Sequence, residues 1–284
     1  MEYPMRKRLI ILFVVSASIA SCFKDSALIG IFISYKSVNL RFDQSMIWNS
    51  THPFKVIEVP NDDYTLLTMG DSHVGGMTNL DRFFSISKTA YASAVIMVGD
   101  LTNGRAGDYA LFEQHLPDQD SLASFPIVGN HDLNYEGWNE FYSRFGSSTY
   151  IFTVKTPVAK DLCICLDNAG ATLGDKQLAW LTNLLETMRS NYRNCFVFAH
   201  VNLFRFRHTE STNPPVEELQ VLMDLFTRYH VDLVINGHDH RHNSAFFGIT
   251  WYIIMDALED GLSNAGYLKL NVNNGKLLFT FEYF

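Results

Sequence analysis

Five polar clusters follow one another along this 284-residue chain: Asp71-Ser72-His73, Gly99-Asp100, Gly129-Asn130-His131-Asp132, His200, and Gly237-His238-Asp239-His240. Imidazole, carboxylate and carboxamide oxygen together make a hard-to-borderline donor set, suited to Zn, Fe or Mn rather than to a thiolate-seeking metal. His73 lies two residues after Asp71, and His240 two after His238. In a loop leaving a strand, that spacing lets both side chains reach one small volume from different sides. Carboxylates can then bridge two ions about 3.5–4 Å apart, the separation used in two-metal phosphate chemistry. Two divalent ions outweigh two aspartates and a hydroxide, so such a centre draws phosphate whatever the charge of the whole chain.

Each cluster follows a short apolar run, at residues 64–69, 94–98, 125–128, 195–199 and 231–236. If the runs are strands, all five clusters emerge at the same edge of one sheet, where open α/β folds place their sites. Singly the clusters say little, since Asp-x-His arises by chance and Gly-Asn builds tight turns. Their joint order at successive strand ends is what predicts convergence. Between them, Leu178, Leu181, Leu185, Met188 and Tyr192 form one helical stripe over residues 175–192. Leu219, Leu222, Phe226 and Tyr229 form another over 216–230, after Pro214-Pro215. Such stripes are core-packing faces of helices.

In this order the clusters resemble the calcineurin-like metallophosphoesterases, whose pattern is Asp-x-His, Gly-Asp, Gly-Asn-His-Asp/Glu, His and Gly-His-x-His. Every part is present between residues 64 and 242. The resemblance implies an α/β fold, a four-layer α-β-β-α sandwich with a binuclear centre at one end of its sheets. It implies that Asp71, His73 and His240 hold one ion, that Asn130, His200 and His238 hold the other, and that Asp100 bridges them. His131 is then a catalytic non-ligand that contacts the phosphoryl oxygen or protonates the leaving group, with Asp132 orienting its ring. The implied reaction is hydrolysis of a phosphoric ester by a hydroxide bridging two divalent or mixed-valence Mn, Fe or Zn ions. Purple acid phosphatases carry a Tyr three residues after the Gly-Asp aspartate, where this chain has Asn103, so a tyrosinate-iron(III) centre is not expected. Strand-like runs at 246–255 and 267–272, with a hairpin signal at Asn274-Gly275 leading into 277–284, are expected to complete the second sheet.

The two ends and the composition set the context. Arg6-Lys7-Arg8, an apolar stretch from Leu9 to Ala20, and Ile19-Ala20-Ser21-Cys22 read as a signal peptide over 1–21 ending in a bacterial lipobox. The expected mature protein is an envelope lipoprotein held by a lipidated Cys22, with Phe23 after the Cys implying outer-membrane sorting. Residues 22–60 are expected to be a tether or extension, and 61–284 the phosphoesterase domain. The net charge is −8, and removal of 1–21 makes the chain more acidic. It lacks basic runs, so an extended nucleic-acid track is not expected. Of the four cysteines, Cys163, Cys165 and Cys195 remain after Cys22, and they read as small buried hydrophobes.

Substrate choice is expected to lie in loops beside the clusters: Arg105, Tyr135 and Trp138, and the stretch 202–212 with Arg205, Arg207 and His208. Tyr135 and Trp138 read first as packing residues of a helix over 135–145. His242, His52, His115 and His230 are not expected to be ligands. The expected substrate is a phosphorylated small molecule or nucleotide-like ester, monoester and diester remaining open. The competing reading is a non-catalytic metal- or phosphate-binding lipoprotein. The retained His131-Asp132 pair argues against it.

Overall fold

The computed structural model describes residues 36–203 and 214–284. The lipobox and the basic loop residues Arg205, Arg207 and His208 lie outside the described residues.

The chain begins with helix α1 (Val38–Thr51), capped by the Ser37 hydroxyl on the Leu40 amide, and edge strand β1 (Val56–Glu58). Then come β2 (Asp63–Met69), α2 (Thr78–Thr89), β3 (Ala94–Val98), α3 (Ala106–His115), β4 (Ser124–Ile127) and α4 (Gly137–Phe145). The second half runs β5 (Tyr150–Lys155), β6 (Lys160–Cys165), α5 (Gly174–Met188), β7 (Cys195–Phe198), α6 (Val216–Arg228) and β8 (Leu233–Asn236). It closes with β9 (Asn243–Phe247), β10 (Thr250–Ile254), β11 (Gly266–Asn273) and β12 (Lys276–Tyr283).

The strands form two sheets. Seven are ordered β1-β5-β6-β7-β8-β10-β9 and five β12-β11-β2-β3-β4. The period-two alternation of each strand builds the layers. Leu66, Ile96, Phe152, Phe198 and Ile235 point into the core between the sheets. Leu67, Val95 and Met97 point the other way, onto Phe83 of α2, Phe112 of α3 and Phe141 of α4. Leu162, Val197 and Val234 likewise meet Leu181 of α5 and Phe226 of α6. The result is the four-layer α-β-β-α sandwich expected from the resemblance.

Two expectations change. The five cluster-bearing strands do not share one sheet: β2, β3 and β4 belong to one and β7 and β8 to the other, so the clusters meet across the sandwich. The apolar run 246–255 is two strands, not one, because Gly248 at φ +61 turns the chain between β9 and β10. This hairpin joins the seven-stranded sheet, and only β11 and β12 complete the other. Within the expected extension, residues 38–58 form a partly buried helix and an edge strand. Arg41, Phe42 and Ser45 of α1 are buried, and β1 pairs in parallel with β5.

The cysteines are as read. Cys163 and Cys165 share the inter-sheet face and Cys195 lies on the opposite face, all free and buried. Among the described residues no helix is long and apolar enough to cross a membrane.

Candidate metal centre

The clusters leave their strands through an unusual backbone. Asp71, His73, Asp100, His238 and His240 all sit at positive φ, between 41° and 73°. Left-handed conformation at a non-glycine residue costs roughly 1–2 kcal/mol. Such strain persists where the surroundings over-determine it, and it gathers at functional sites. Here a second ladder does the holding: Asp71 N donates to Gly99 O at 2.9 Å, His73 N to Asp100 O at 3.0 Å, and Gly237 N to His200 O at 3.1 Å. Left-handed residues at alternate positions turn the side chains of Asp71 and His73, and of His238 and His240, back over the strand ends. Two glycines make the approach possible. A Cβ at Gly129 would lie 2.3 Å from Asp100 Oδ1, and one at Gly237 would lie 2.4 Å from Asp71 Oδ2.

The outcome is two adjoining groups of donors with a third between them. Asp71, His73 and His240 form one, Asp100, His200 and His238 another, and His73 and Asp100 also group with His131, the donor atoms of each group lying within 4.8 Å of one another. In the first, His240 Nε2 stands 3.2 Å from both His73 Nε2 and Asp71 Oδ1. In the second, His200 Nε2 stands 3.2 Å from Asp100 Oδ2, 3.2 Å from His238 Nδ1 and 3.0 Å from Asn130 Oδ1. His200 Nδ1 donates to Val98 O at 2.8 Å, so it is Nε2 that faces that group, with its lone pair available once the ring is neutral. Asp100 Oδ2 also lies 3.8 Å from His73 Nε2, so this one carboxylate borders both groups.

The electrostatics fit cations. Asp71 and Asp100 are wholly buried, which alone would raise their pKa values, yet the surrounding imidazoles hold both below the usual carboxylate range. Burial alone would lower His200, but Asp100 and Asp71 overcome it and lift this imidazole to about 9. His240 is raised as well, by Asp71 and then Asp100 against its own burial. Protons thus collect on ring nitrogens that face carboxylates, at positions where divalent ions would sit. The donor set, its burial and its charge all fit the binuclear centre that the family resemblance implies.

All nine residues singled out from the sequence come together here, but one takes a different part. Asp132 does not orient His131. Its carboxylate accepts from Leu101 N (3.1 Å), Thr102 N (2.8 Å), Thr102 Oγ1 (2.9 Å) and Gly129 N (2.9 Å). Four donors saturate a carboxylate. Burial, and then the neighbouring charge of Asp100, lift its pKa to about 6 despite these bonds. Asp132 therefore splices the Asp100 loop to the Asn130 loop. His131 keeps its place at the centre: its amide donates to Asp100 Oδ1 at 2.7 Å, and its ring meets that of His73 edge-on at 4.6 Å.

Residues outside the clusters complete the site. Asn168 Nδ2 donates to Val201 O at 2.6 Å while its Oδ1 accepts from Val201 N at 2.8 Å, gripping the backbone just past His200. Asn236 Nδ2 donates to Ala199 O at 2.8 Å from the other side. The signal for Asn168 was its place directly after β6, one further strand end carrying polar residues. Trp138 is core, with Nε1 donating to Gln44 at 2.7 Å. Arg105 stacks 4.5 Å over the Tyr135 ring and donates to its hydroxyl at 3.0 Å. Tyr135 itself precedes α4, at φ 55. His242 pairs with Asp256 at 2.6 Å, and His115 with Asp81, neither among the donor groups.

Solved structures share the fold at low identity. Plasmodium GAP50, described as the anchor in the inner membrane complex, superposes with a TM-score of 0.62 at 12% identity, over 77% of this chain and 84% of its own. A dimetal phosphatase from Danio rerio gives 0.59 at 11%, over 78% of this chain and 96% of its own. A putative 5′-nucleotidase from Staphylococcus aureus gives 0.52 at 15%, over 78% of this chain and 53% of its own. No curated protein matches the chain by sequence. The family profile described as Calcineurin-like phosphoesterase matches residues 64–242, from the start of the first cluster-bearing strand to just past the last cluster. The chain belongs to the calcineurin-like phosphoesterase family.

Proposed function

We propose that this chain hydrolyses phosphoric esters of small, nucleotide-like molecules at a binuclear metal centre, and does so anchored to a bacterial envelope through a lipidated Cys22. The observation that carries the catalytic part is the pair of donor groups sharing Asp100 as their border. Asp71, His73 and His240 would hold one ion, and Asn130, His200 and His238 the other. When bound, the ions act as Lewis acids on the phosphoryl oxygens and activate water for in-line attack.

The chain's own residues do the rest. Buried Asp71 and Asp100 would offset the charge of the ions, and Asp100, with Oδ2 3.8 Å from His73 Nε2 and 3.2 Å from His200 Nε2, faces both groups. His131 stands beside both groups with its ring free of the Asp132 carboxylate, placed to donate a hydrogen bond to the phosphoryl group or a proton to the departing oxygen. Val98 O, accepting from Nδ1, holds His200 in the tautomer that presents Nε2, and the Asn168–Val201 bracket fixes the backbone just past it. The choice of a nucleotide-like ester is supported by the likeness to the S. aureus nucleotidase and by Arg105 and Tyr135, which offer a cation and an aromatic face on the loops of Asp100 and His131. The anchoring is supported by the basic, apolar and Cys-terminated N-terminal sequence.

The test is turnover of aryl phosphate monoesters and diesters by the full chain loaded with Mn(II), and then with Zn or Fe(II), with Asp100→Asn as the blank. Turnover lost in the blank together with bound metal supports the centre. Near wild-type turnover in Asp100→Asn would falsify it, and metal binding without any turnover would leave the competing non-catalytic lipoprotein. Replacing Cys22 with Ser should release the protein from membranes, and continued lipid labelling would contradict the anchor.

A further inference from the structure

A cavity of about 440 Å³ opens on the flank of the sandwich where the two sheets end at β4 and β1. That volume lies within the range of small-molecule pockets, roughly 300–1,000 Å³. None of its lining residues belongs to the five clusters. The walls are aromatic and aliphatic: Trp48 from α1, Trp180 and Leu184 from α5, Phe125 from β4, Tyr150 from β5, and Phe145 from the end of α4.

The walls are built rather than incidental. Trp48 lies against Gly146, where a Cβ would fall 2.1 Å from the indole, so only glycine lets the ring lie there. On its other side His52 stacks flat on the indole, 3.9 Å between ring centres and 3° between planes. The His52 Nδ1 is already engaged with Trp48 O and Thr51 Oγ1, each at 3.0 Å. Phe125 is fixed by stacking on Phe152 at 3.7 Å, and Tyr150 by donating to Pro126 O at 2.8 Å. The cavity therefore needs no rearrangement to exist.

Its charge is equally specific. The chain carries eight more acidic than basic residues, yet no carboxylate lines this cavity. The one formal charge on the lining is Lys55, an exposed side chain whose hydrogen bond, to Gln119 O, is stretched to 3.5 Å. Among the described residues no carboxylate pairs with it. An apolar slot that has Lys55 as its one charged residue, with no carboxylate paired to it among the described residues, complements a molecule with an apolar body and one anionic end.

We propose that this cavity binds a long-chain carboxylate, its alkyl chain among the aromatic walls and its carboxylate on Lys55. A neutral amphiphile would leave the ammonium unanswered, and a cationic one would meet it head to head. The site is separate from the metal centre, and its occupant is not the ester proposed there.

The test uses the full chain, laurate below its micellar concentration, and isothermal titration. Saturable one-to-one binding is expected, with 11-bromoundecanoate quenching tryptophan emission because Trp48 and Trp180 line the cavity. Lys55→Glu changes an exposed residue, and circular dichroism checks that it folds. It should weaken laurate at least tenfold and strengthen dodecyltrimethylammonium. Equal affinity for laurate and dodecanol would overturn the carboxylate assignment, as would a Lys55→Glu affinity matching wild type. Absence of saturable binding or of quenching would overturn the site itself, with the slot then filled by the chain's own residues.

Discussion

Asn168 grips the main chain of Val201 with both ends of its carboxamide, 2.6 Å from Nδ2 to the carbonyl and 2.8 Å from the amide to Oδ1. Val201 follows His200, so this pairing sets the direction in which that imidazole leaves β7. Asn168→Ala deletes both bonds, leaving the buried Val201 amide without a partner at about 1–3 kcal/mol and its carbonyl with only the longer 3.4 Å bond from Asn236 Nδ2. Outer contacts of this kind typically tune metal affinity 10- to 100-fold. Weaker metal binding in a still-folded Asn168→Ala protein is the expected result. Unchanged affinity would show that His200 is held by Val98 alone.

The neighbour of Asn168 ties α1 to the same region. Arg41, 2% exposed, makes two bonds to the buried Asp167 carboxylate, at 2.7 and 2.9 Å. Removing one partner of a buried pair costs about 3–5 kcal/mol, because the other charge stays behind. Arg41→Met should therefore destabilise strongly in urea denaturation, and the double variant Arg41→Met with Asp167→Asn should recover part of the loss. Equal stability of Arg41→Met and wild type would mean that α1 is dispensable.

His131 and Asp132 are adjacent in sequence but predict opposite phenotypes. His131→Ala should keep its metal and lose about 10²–10⁴-fold in turnover, the usual share of general acid–base catalysis. Asp132→Asn places an NH₂ group against backbone and hydroxyl donors that now bond to oxygen, so it should lower the melting temperature and metal content together. A metal-replete, stable Asp132→Asn protein with slow turnover would restore the ring-orienting role.

Metal removal should register in stability. A ligand that binds only the folded state contributes about 2.7 kcal/mol at one hundred times its dissociation constant. For a domain of this size that corresponds to a rise in melting temperature of roughly 5–10 °C. Chelator-treated protein should show this rise on adding Mn(II), and Asp100→Asn should show little of it. A melting temperature indifferent to metal would argue against both donor groups.

The parts of the molecule legible from the sequence are those where chemistry leaves few substitutes. Donor residues at strand ends have no bland equivalent in that order, and buried strands such as β3 are continuous apolar runs. Helix α1 was silent because its buried face carries Arg41 and Ser45 beside Phe42, so no apolar stripe marks it. The assignment of strands to two sheets depends on long-range pairing that no local pattern encodes. The orienting role that the resemblance implies for Asp132 is not met, because a turn over His131–Glu136 sends its carboxylate back to Leu101 and Gly129.

The division of the donors between the sheets has a mechanical side. Asp71, His73, Asp100 and Asn130 ride on strands of the five-stranded sheet, and His200, His238 and His240 on strands of the seven-stranded one. Each donor group draws on both. The layers between them are joined mainly by apolar packing, which resists separation better than it resists sliding. A shear of one sheet over the other by a fraction of an ångström would open both coordination spheres at once. Two polar ties cross that seam at the site itself, His238 N to the Asp71 carboxylate at 2.9 Å and His200 Nδ1 to Val98 O at 2.8 Å, and these are the bonds such a shear would have to break.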